Sequence, residues 1–308
     1  MIVVGIDGGG TRSRAVVEDG HGRVLARAAG GPGLLDPGAV EAGGERMVAL
    51  ARDVLLEAGG ASTADVLCCA AAGAGAPVVR AAATQVLARG GVADRVLLVT
   101  DLEAAFQAAF GARDAGILVV AGTGSSAWGR AADGRTARAG GWGAVVGDEG
   151  SGWWLGRAAV RAVLRAHDGR GRPTRLSAAV RDTAAGAAPE ALPAWVAGAG
   201  KATVAGLAPA VLAAAAAGDG VAATLVRTAA DDLAELVAAL VRGLGPWPEP
   251  PPVAAVGGLF TGAPSLTAAF DAALARGGAG AVRRTLNAAQ RDAARGAAAL
   301  ARAAGADT

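Results

Sequence analysis

Apolar residues in the first thirty positions come in short, β-branched bursts set off by glycine and aspartate: "IVVGID", "RAVVED" and "RVLARA". Runs of this length bounded by turn formers read as strands, so the pattern predicts strands at about 2–7, 13–18 and 23–28. "GGGTRS" (Gly8 to Ser13) then tips a hairpin. It is not the glycine loop of a dinucleotide site, which would lead from a strand into a helix. The period next changes. Val40, Met47, Leu50, Val54 and Leu55 fall at helical spacing, predicting a helix over about Pro37–Ala58. A strand follows at about Val66–Ala71, a helix at about 77–89, a strand at Val96–Val99 and a helix from Leu102. A meander followed by alternation predicts an α/β unit whose later strands are parallel.

The pattern restarts at Ile117. "ILVVAGTGSSAWGRAADGRTARAGG" (Ile117 to Gly141) again has an apolar strand, a glycine tip with hydroxyls, a second strand, an Asp-Gly turn and a third strand. Ile2–Thr11 matches Ile117–Ser126 in rhythm, with Gly122 near the place of Asp7. The expectation is two related lobes, each offering a glycine hairpin to a shared cleft. A long helical region, roughly 152–245, is broken by Gly169–Pro173, Gly186–Pro189 and Gly218–Gly220. The stiff connector "GPWPEPPP" leads to a strand at Val253–Val256, a Gly257-Gly258 loop, a helix from about 263–266 and a last helix at about 285–304.

Composition narrows the classes. The chain has 308 residues, 53% of them hydrophobic, and a formal charge of +2. No basic stripe with interleaved aromatics is present, so no nucleic-acid partner is expected. Of the 29 basic residues only Lys201 is a lysine, which is the signature of codon bias and assigns Lys201 no role. Cys68 and Cys69 are adjacent on a predicted strand and point to opposite faces, which suits neither a disulfide nor a metal. The N-terminus enters a strand directly, without a signal peptide, and the alanine-rich run Val204–Gly218 is too short for a membrane span. A reducing cytoplasm is the expected setting.

Four stretches could carry chemistry. At the first tip, Gly8, Gly9 and Gly10 let a phosphate approach the backbone closely, and Thr11 and Ser13 add hydroxyl donors. Arg12 is a further phosphate candidate, and Asp7 is placed to hold Mg²⁺ through water. The alternative is a hairpin whose glycines serve only the turn. The second tip, Gly122-Thr123-Gly124-Ser125, is a matching phosphate candidate. In "LLVTDLEAAF", Asp101 ends a strand and opens a helix, where open α/β sheets bind ligands. It is either a general base on a hydroxyl or an ordinary first-turn acid, since Thr100 and Glu103 fit a capping box. In "GGWGAVVGDEGSGWWLG", Gly141, Trp142 and Asp148 offer the aromatic face and carboxylate that suit a sugar; the alternative is that Asp148, with Glu149, is an ordinary acid ahead of a helix. Lastly, "AVGGLFTGAP" offers the bare backbone of Gly257 and Gly258 to a flat adenine.

Taken in order, DGGGTRS, the Thr100-Asp101 pair, AGTGS, GGWG…GDEGS and VGGLF resemble the BadF/BadG/BcrA/BcrD ATPase family, and within it the N-acetylglucosamine kinase branch. The resemblance covers nearly the whole chain. It implies the actin-like ATPase fold of sugar kinases, α/β, with two RNase H-like lobes closing on sugar and ATP around a central cleft. Residues 1–115 would form one lobe and 116–287, with a helical insertion, the other; residues from about 288 to 308 are a candidate to pack back on the first. The resemblance assigns Asp7 to Mg²⁺ and Asp101 to the base on the sugar's C6 hydroxyl. Gly9, Gly10 and Thr11 go to the nucleotide phosphates, Gly122 and Gly124 to the transferred phosphate. Thr123, Gly141, Trp142 and Asp148 go to the sugar, Gly257 and Gly258 to adenosine. One departure stands out: Leu34 occupies the place of a sugar-contacting Asn in "GGPGLLDPG", with Asp36 as a candidate substitute.

The function expected is thus an ATP- and Mg²⁺-dependent kinase making an amino sugar 6-phosphate, first of all from N-acetylglucosamine. Glucosamine, N-acetylmuramic acid and N-acetylmannosamine are the alternatives, and a homodimer is expected by analogy. A second class, an activator ATPase for a dehydratase, needs a subunit-bridging iron–sulfur cluster that adjacent, buried cysteines do not suit.

Overall fold

The structure, a computed structural model, describes residues 1–59, 62–112, 114–277 and 281–306. In chain order the first elements are β1 (Ile2–Gly8), β2 (Ser13–Asp19), β3 (Val24–Gly30), α1 (Val40–Glu57), β4 (Ala64–Ala71), α2 (Pro77–Arg89), β5 (Ala93–Thr100) and α3 (Asp101–Phe110). The pattern then repeats with β6 (Gly116–Ala121), β7 (Ser125–Arg130), β8 (Thr136–Gly140) and α4 (Gly152–His167). Four short helices follow: α5 (Leu176–Thr183), α6 (Leu192–Gly198), α7 (Gly200–Ala205) and α8 (Ala208–Ala216). The chain ends with α9 (Gly220–Leu244), β9 (Pro252–Val256), α10 (Gly258–Gly262), α11 (Pro264–Arg276), β10 (Val282–Arg283) and α12 (Ala293–Ala306). It divides into two compact units, Met1–Asp114 with Leu286–Thr308, and Ala115–Thr285.

In the first unit the strand order is β3-β2-β1-β4-β5. β1 and β2 form the expected antiparallel hairpin, closed where the Gly9 N–H donates to the Arg12 carbonyl at 3.1 Å. β4 and β5 join in parallel, as alternation with helices requires. Successive residues serve opposite faces of the sheet. Val4, Ile6 and Cys69 lie in a core with α1 and α2, whereas Val3, Cys68 and Val66 lie in a core with α3 and α12. A Cβ on Gly5 would stand 2.2 Å from the Ala294 carbonyl oxygen, so α12 rests directly on the backbone of β1. The same helix supplies Arg295 and Arg302, whose guanidiniums both meet the fully buried Glu18 carboxylate of β2.

The second unit repeats the plan with order β10-β9-β6-β7-β8. β6, β7 and β8 form the antiparallel meander, and β9 runs parallel to β6. One extended core joins this sheet to α4, α9 and α11.

Three expectations are corrected. The first helix starts at Val40, not Pro37, because Asp36 holds the Gly38 N–H on its carboxylate and its carbonyl takes the Ala39 N–H, making a turn. The last helix starts at Ala293, not 285: Asn287 and Gln290 exchange side chain-to-backbone hydrogen bonds and hold a separate turn. Of the segment at about 288–308 expected to pack back on the first lobe, residues 307 and 308 lie outside the described residues. The helical region also breaks near Ala199, which no proline announces, and near Gly206, just ahead of Pro209 in the first turn of α8. Among the described residues no single helix is long and apolar enough to cross a membrane.

Candidate active site

In the first unit the chemistry gathers at the carboxyl ends of parallel strands. Asp7 is the next-to-last residue of β1, paired in register with Arg14 on β2 and Ala70 on β4. Its carboxyl is pushed up from 3.8 to about 6, chiefly by burial and then by the nearby Asp101, against a smaller opposing pull from Arg14. Asp101 is the first residue of α3. Thr100 caps that helix by accepting from the Glu103 N–H, and Glu103 returns a bond to the Thr100 N–H at 2.7 Å. Glu103 thus completes the cap, and the Asp101 carboxylate is not part of it.

The hairpin tip beside Asp7 is open. Gly10, Thr11 and Arg12 are exposed, and a Cβ on Gly10 would meet nothing within 4 Å. Ser13 differs from expectation: it is buried and its hydroxyl donates to the Gly31 carbonyl at 2.8 Å, so that hydroxyl braces the turn. Among the described residues no three His, Cys, Asp or Glu side chains cluster as a metal cage. A half-buried carboxyl with a second acid close by suits a hydrated Mg²⁺ that brings its remaining ligands as water and phosphate.

The second unit builds its tip differently. The Gly122 N–H closes on the Gly124 carbonyl at 2.9 Å, and the first amides of α4 sew the tip down: Gly152 donates to Gly122 at 2.8 Å and Trp153 to Thr123 at 3.1 Å. Thr123 is exposed. Ser125 is buried, its hydroxyl donating to the Glu149 carbonyl at 2.6 Å and its amide to Asp148 Oδ1 at 3.3 Å. Both of its donors are therefore engaged with the GDEG loop, and the phosphate contact expected of its hydroxyl is not free to form.

Asp148 is 3% exposed and holds a left-handed backbone, φ 60°. Lys201 Nζ on α7 stands 2.6 Å from its Oδ2. That approach is off the angle of a hydrogen bond, so Oδ2 is a buried acceptor with an ion-pair partner and no hydrogen bond. Sequence reasoning gave Lys201 no role; its partner is 53 positions away, and no local motif announces the pair.

The remaining candidates fall in both units. Trp142 is 69% exposed, with the Arg138 guanidinium 5.0 Å from its ring, and its neighbours Val145 and Val146 are exposed too. Gly141 needs glycine for its φ of 71°. Gly257 follows β9 at φ 107°, and a Cβ there would stand 2.2 Å from the Ala121 oxygen at the base of the second tip. Gly258 beside it opens α10 and faces free space. Asp36 is exposed and spends one oxygen on its own turn, near the exposed Leu34. Cys68 and Cys69 face opposite cores, and burial pushes the Cys68 thiol up to about 12 and Cys69 well above its usual value. Neither suits an iron–sulfur cluster. A cavity of about 550 Å³ lined by Trp154, Arg161, Arg165, Arg172 and Val221 holds none of the candidate residues.

The sequence pattern of the BadF/BadG/BcrA/BcrD ATPase family matches residues 4–301. An N-acetylmuramic acid/N-acetylglucosamine kinase of Clostridium acetobutylicum is 32% identical over 181 residues, 58% of this chain and 59% of that one. An N-acetyl-D-glucosamine kinase of Dictyostelium discoideum is 28% identical over 189 residues, 57% of this chain and 58% of that one. The aligned part is thus under two thirds of each of these relatives. A crystal structure of a Chromobacterium violaceum protein, described as a candidate N-acetylglucosamine kinase, superposes with a TM-score of 0.81 at 30% identity, covering 98% of both chains.

Proposed function

This chain belongs to the BadF/BadG/BcrA/BcrD ATPase family, and from that premise we propose that it is an ATP-dependent amino sugar kinase, with N-acetylglucosamine as first substrate and its 6-phosphate as product. One observation carries the reading: Asp101, at the carboxyl end of a parallel strand and the start of α3, lies close enough to Asp7 to raise that carboxyl. The relatives named above supply the substrate class.

In the proposed step the C6 oxygen attacks the γ-phosphorus. A C6 O–P bond forms, the bond from that phosphorus to the β–γ bridging oxygen breaks, and ADP leaves. The hydroxyl proton passes to the Asp101 carboxylate, a role that needs placement more than an altered acidity. The backbone at Gly8–Thr11 approaches the nucleotide phosphates, and Arg12 adds charge. In the second unit, Gly122 and Gly124 serve the transferred phosphate, Asp148 accepts sugar hydroxyls with Thr123, Gly141 and Trp142 nearby, and Gly257-Gly258 faces adenosine. Mg²⁺, arriving with ATP and held at Asp7, would neutralise phosphate charge. A homodimer in the cytoplasm is part of the same reading.

The test is Mg²⁺-dependent ADP release with N-acetylglucosamine, glucosamine, N-acetylmuramic acid, N-acetylmannosamine and glucose. Turnover on an amino sugar that falls about 10²–10⁴-fold in Asp101→Asn, with both KM values little changed, is the expected result. ADP release indifferent to every sugar would refute a sugar kinase, and near-normal turnover in Asp101→Asn would remove Asp101 from the step.

A further inference from the structure

We propose that Lys201 is the positioning residue for Asp148: it holds that carboxylate for an incoming sugar hydroxyl and thereby sets the affinity for sugar. The inference rests on the kinase reading above. Asp148 is nearly enclosed, and a buried carboxylate without a partner is costly. Its two oxygens have different fates. Oδ1 accepts from the Ser125 N–H at 3.3 Å, and the Ser151 N–H donates to the Asp148 carbonyl at 3.1 Å, which pins the backbone. Oδ2 has charge compensation from Lys201 at 2.6 Å and an unfilled hydrogen-bonding capacity. A ligand hydroxyl donating to Oδ2 would complete it. An acceptor poised in this way is fixed by its counter-charge before the ligand arrives.

The geometry selects lysine. The position a Gly124 Cβ would take is 2.8 Å from both Asp148 Oδ1 and Lys201 Nζ, so the pair sits directly against the glycine tip. An ammonium is a compact point charge; a guanidinium is a broad planar fork that would need more room on this backbone. In a chain whose other 28 basic side chains are arginines, the one lysine stands beside this buried acid. Lys201 Nζ is on a side chain 39% exposed, so the ammonium stays hydrated on one side while bracing a buried acid on the other.

The experiment compares wild type, Lys201→Met, Asp148→Asn and the double variant by steady-state kinetics and by thermal unfolding. Lys201→Met is expected to raise the sugar KM about 10- to 100-fold, the scale of a lost charge-assisted contact, with the ATP KM nearly unchanged and the unfolding temperature lowered, because Asp148 is then buried without its counter-charge. In the Asp148→Asn background the same change should cost little, because its partner is gone. A second readout uses the single lysine. Reductive methylation with ¹³C-formaldehyde labels one side-chain amine besides the N-terminus, and its signal should move on adding N-acetylglucosamine in wild type but not in Asp148→Asn. Wild-type turnover with a normal sugar KM in Lys201→Met overturns this proposal alone, as does an equal cost in both backgrounds. Absence of turnover and of any signal change with every sugar overturns the kinase reading, and this proposal with it.

Discussion

The two units carry the same five-stranded plan and the same glycine hairpin, yet they treat charge in opposite ways. In the first, the acid is built into the hairpin strand: Asp7 is the next-to-last residue of β1, a second acid lies close, and burial pushes its carboxyl to about 6. In the second, Gly122 stands near the equivalent place, and the acid arrives from the loop after β8 already matched by a lysine. Topology therefore fixes where a tip can be, and the surrounding loops decide its electrostatics. The first tip is left short of positive charge, the state a cation or proton relieves; the second is neutralised in advance and holds one buried acceptor without a hydrogen bond.

The largest expected stability effect tests how each sheet is anchored. The first has the buried Glu18 clamped by two arginines from α12. Removing one partner of a buried ion group costs about 3–5 kcal/mol, and the partial exposure of both arginines puts Glu18→Gln toward the lower end. Amide exchange in β2 and α12 should accelerate in this variant while α9 and β7 keep their protection. Equal acceleration in both units would show that the clamp is not particular to the first.

Next in size is Asp7. Its folded value of about 6 lies above the unfolded 3.8, so the folded chain binds the proton more tightly. The resulting stability is complete below pH 3.8 and is lost as pH rises to about 6, a fall of about 2–3 kcal/mol. Asp7→Asn cannot ionise. It should therefore unfold at a higher temperature than wild type at pH 8, with the difference closing below about pH 4, while kinase turnover drops. A variant no more stable than wild type at pH 8 would mean that the Asp7 charge is already compensated, and the contrast between the tips would fail.

Much of this was legible in the chain. The hairpins follow from β-branched bursts ending in glycine, and the Thr100–Glu103 box follows from a four-residue motif. The opposed faces of Cys68 and Cys69 follow from strand alternation. Local pattern serves where the interaction is local. The Asp148–Lys201 pair joins a left-handed loop residue to a six-residue helix in an alanine-rich stretch, and neither end carries a periodic signal. Ser13 and Ser125 were legible as hydroxyls but not as hydroxyls already spent on carbonyls, which depends on where Gly31 and Glu149 fold back. The late start of α12 turns on one exchange, Asn287 with Gln290, that composition does not reveal.

The smallest effects come from the glycines themselves, and they separate two reasons for having one. A methyl group on Gly10 meets nothing within 4 Å, so Gly10→Ala should leave stability within about 0.5 kcal/mol. If bare backbone is there for phosphate, the same methyl should still raise the ATP KM several-fold. Gly124 is the reverse case. Its methyl would lie 2.8 Å from both ends of the Asp148–Lys201 pair, where the acid is buried and bonded and only the lysine can yield. Overpacking of this kind costs about 1–3 kcal/mol, so Gly124→Ala should lower the unfolding temperature and raise the sugar KM together. Gly10→Ala with an unchanged ATP KM would make the first tip a turn and nothing more. Gly124→Ala as stable as wild type would mean that Lys201 swings away freely, and the second tip would then lose the prearranged charge that distinguishes it from the first.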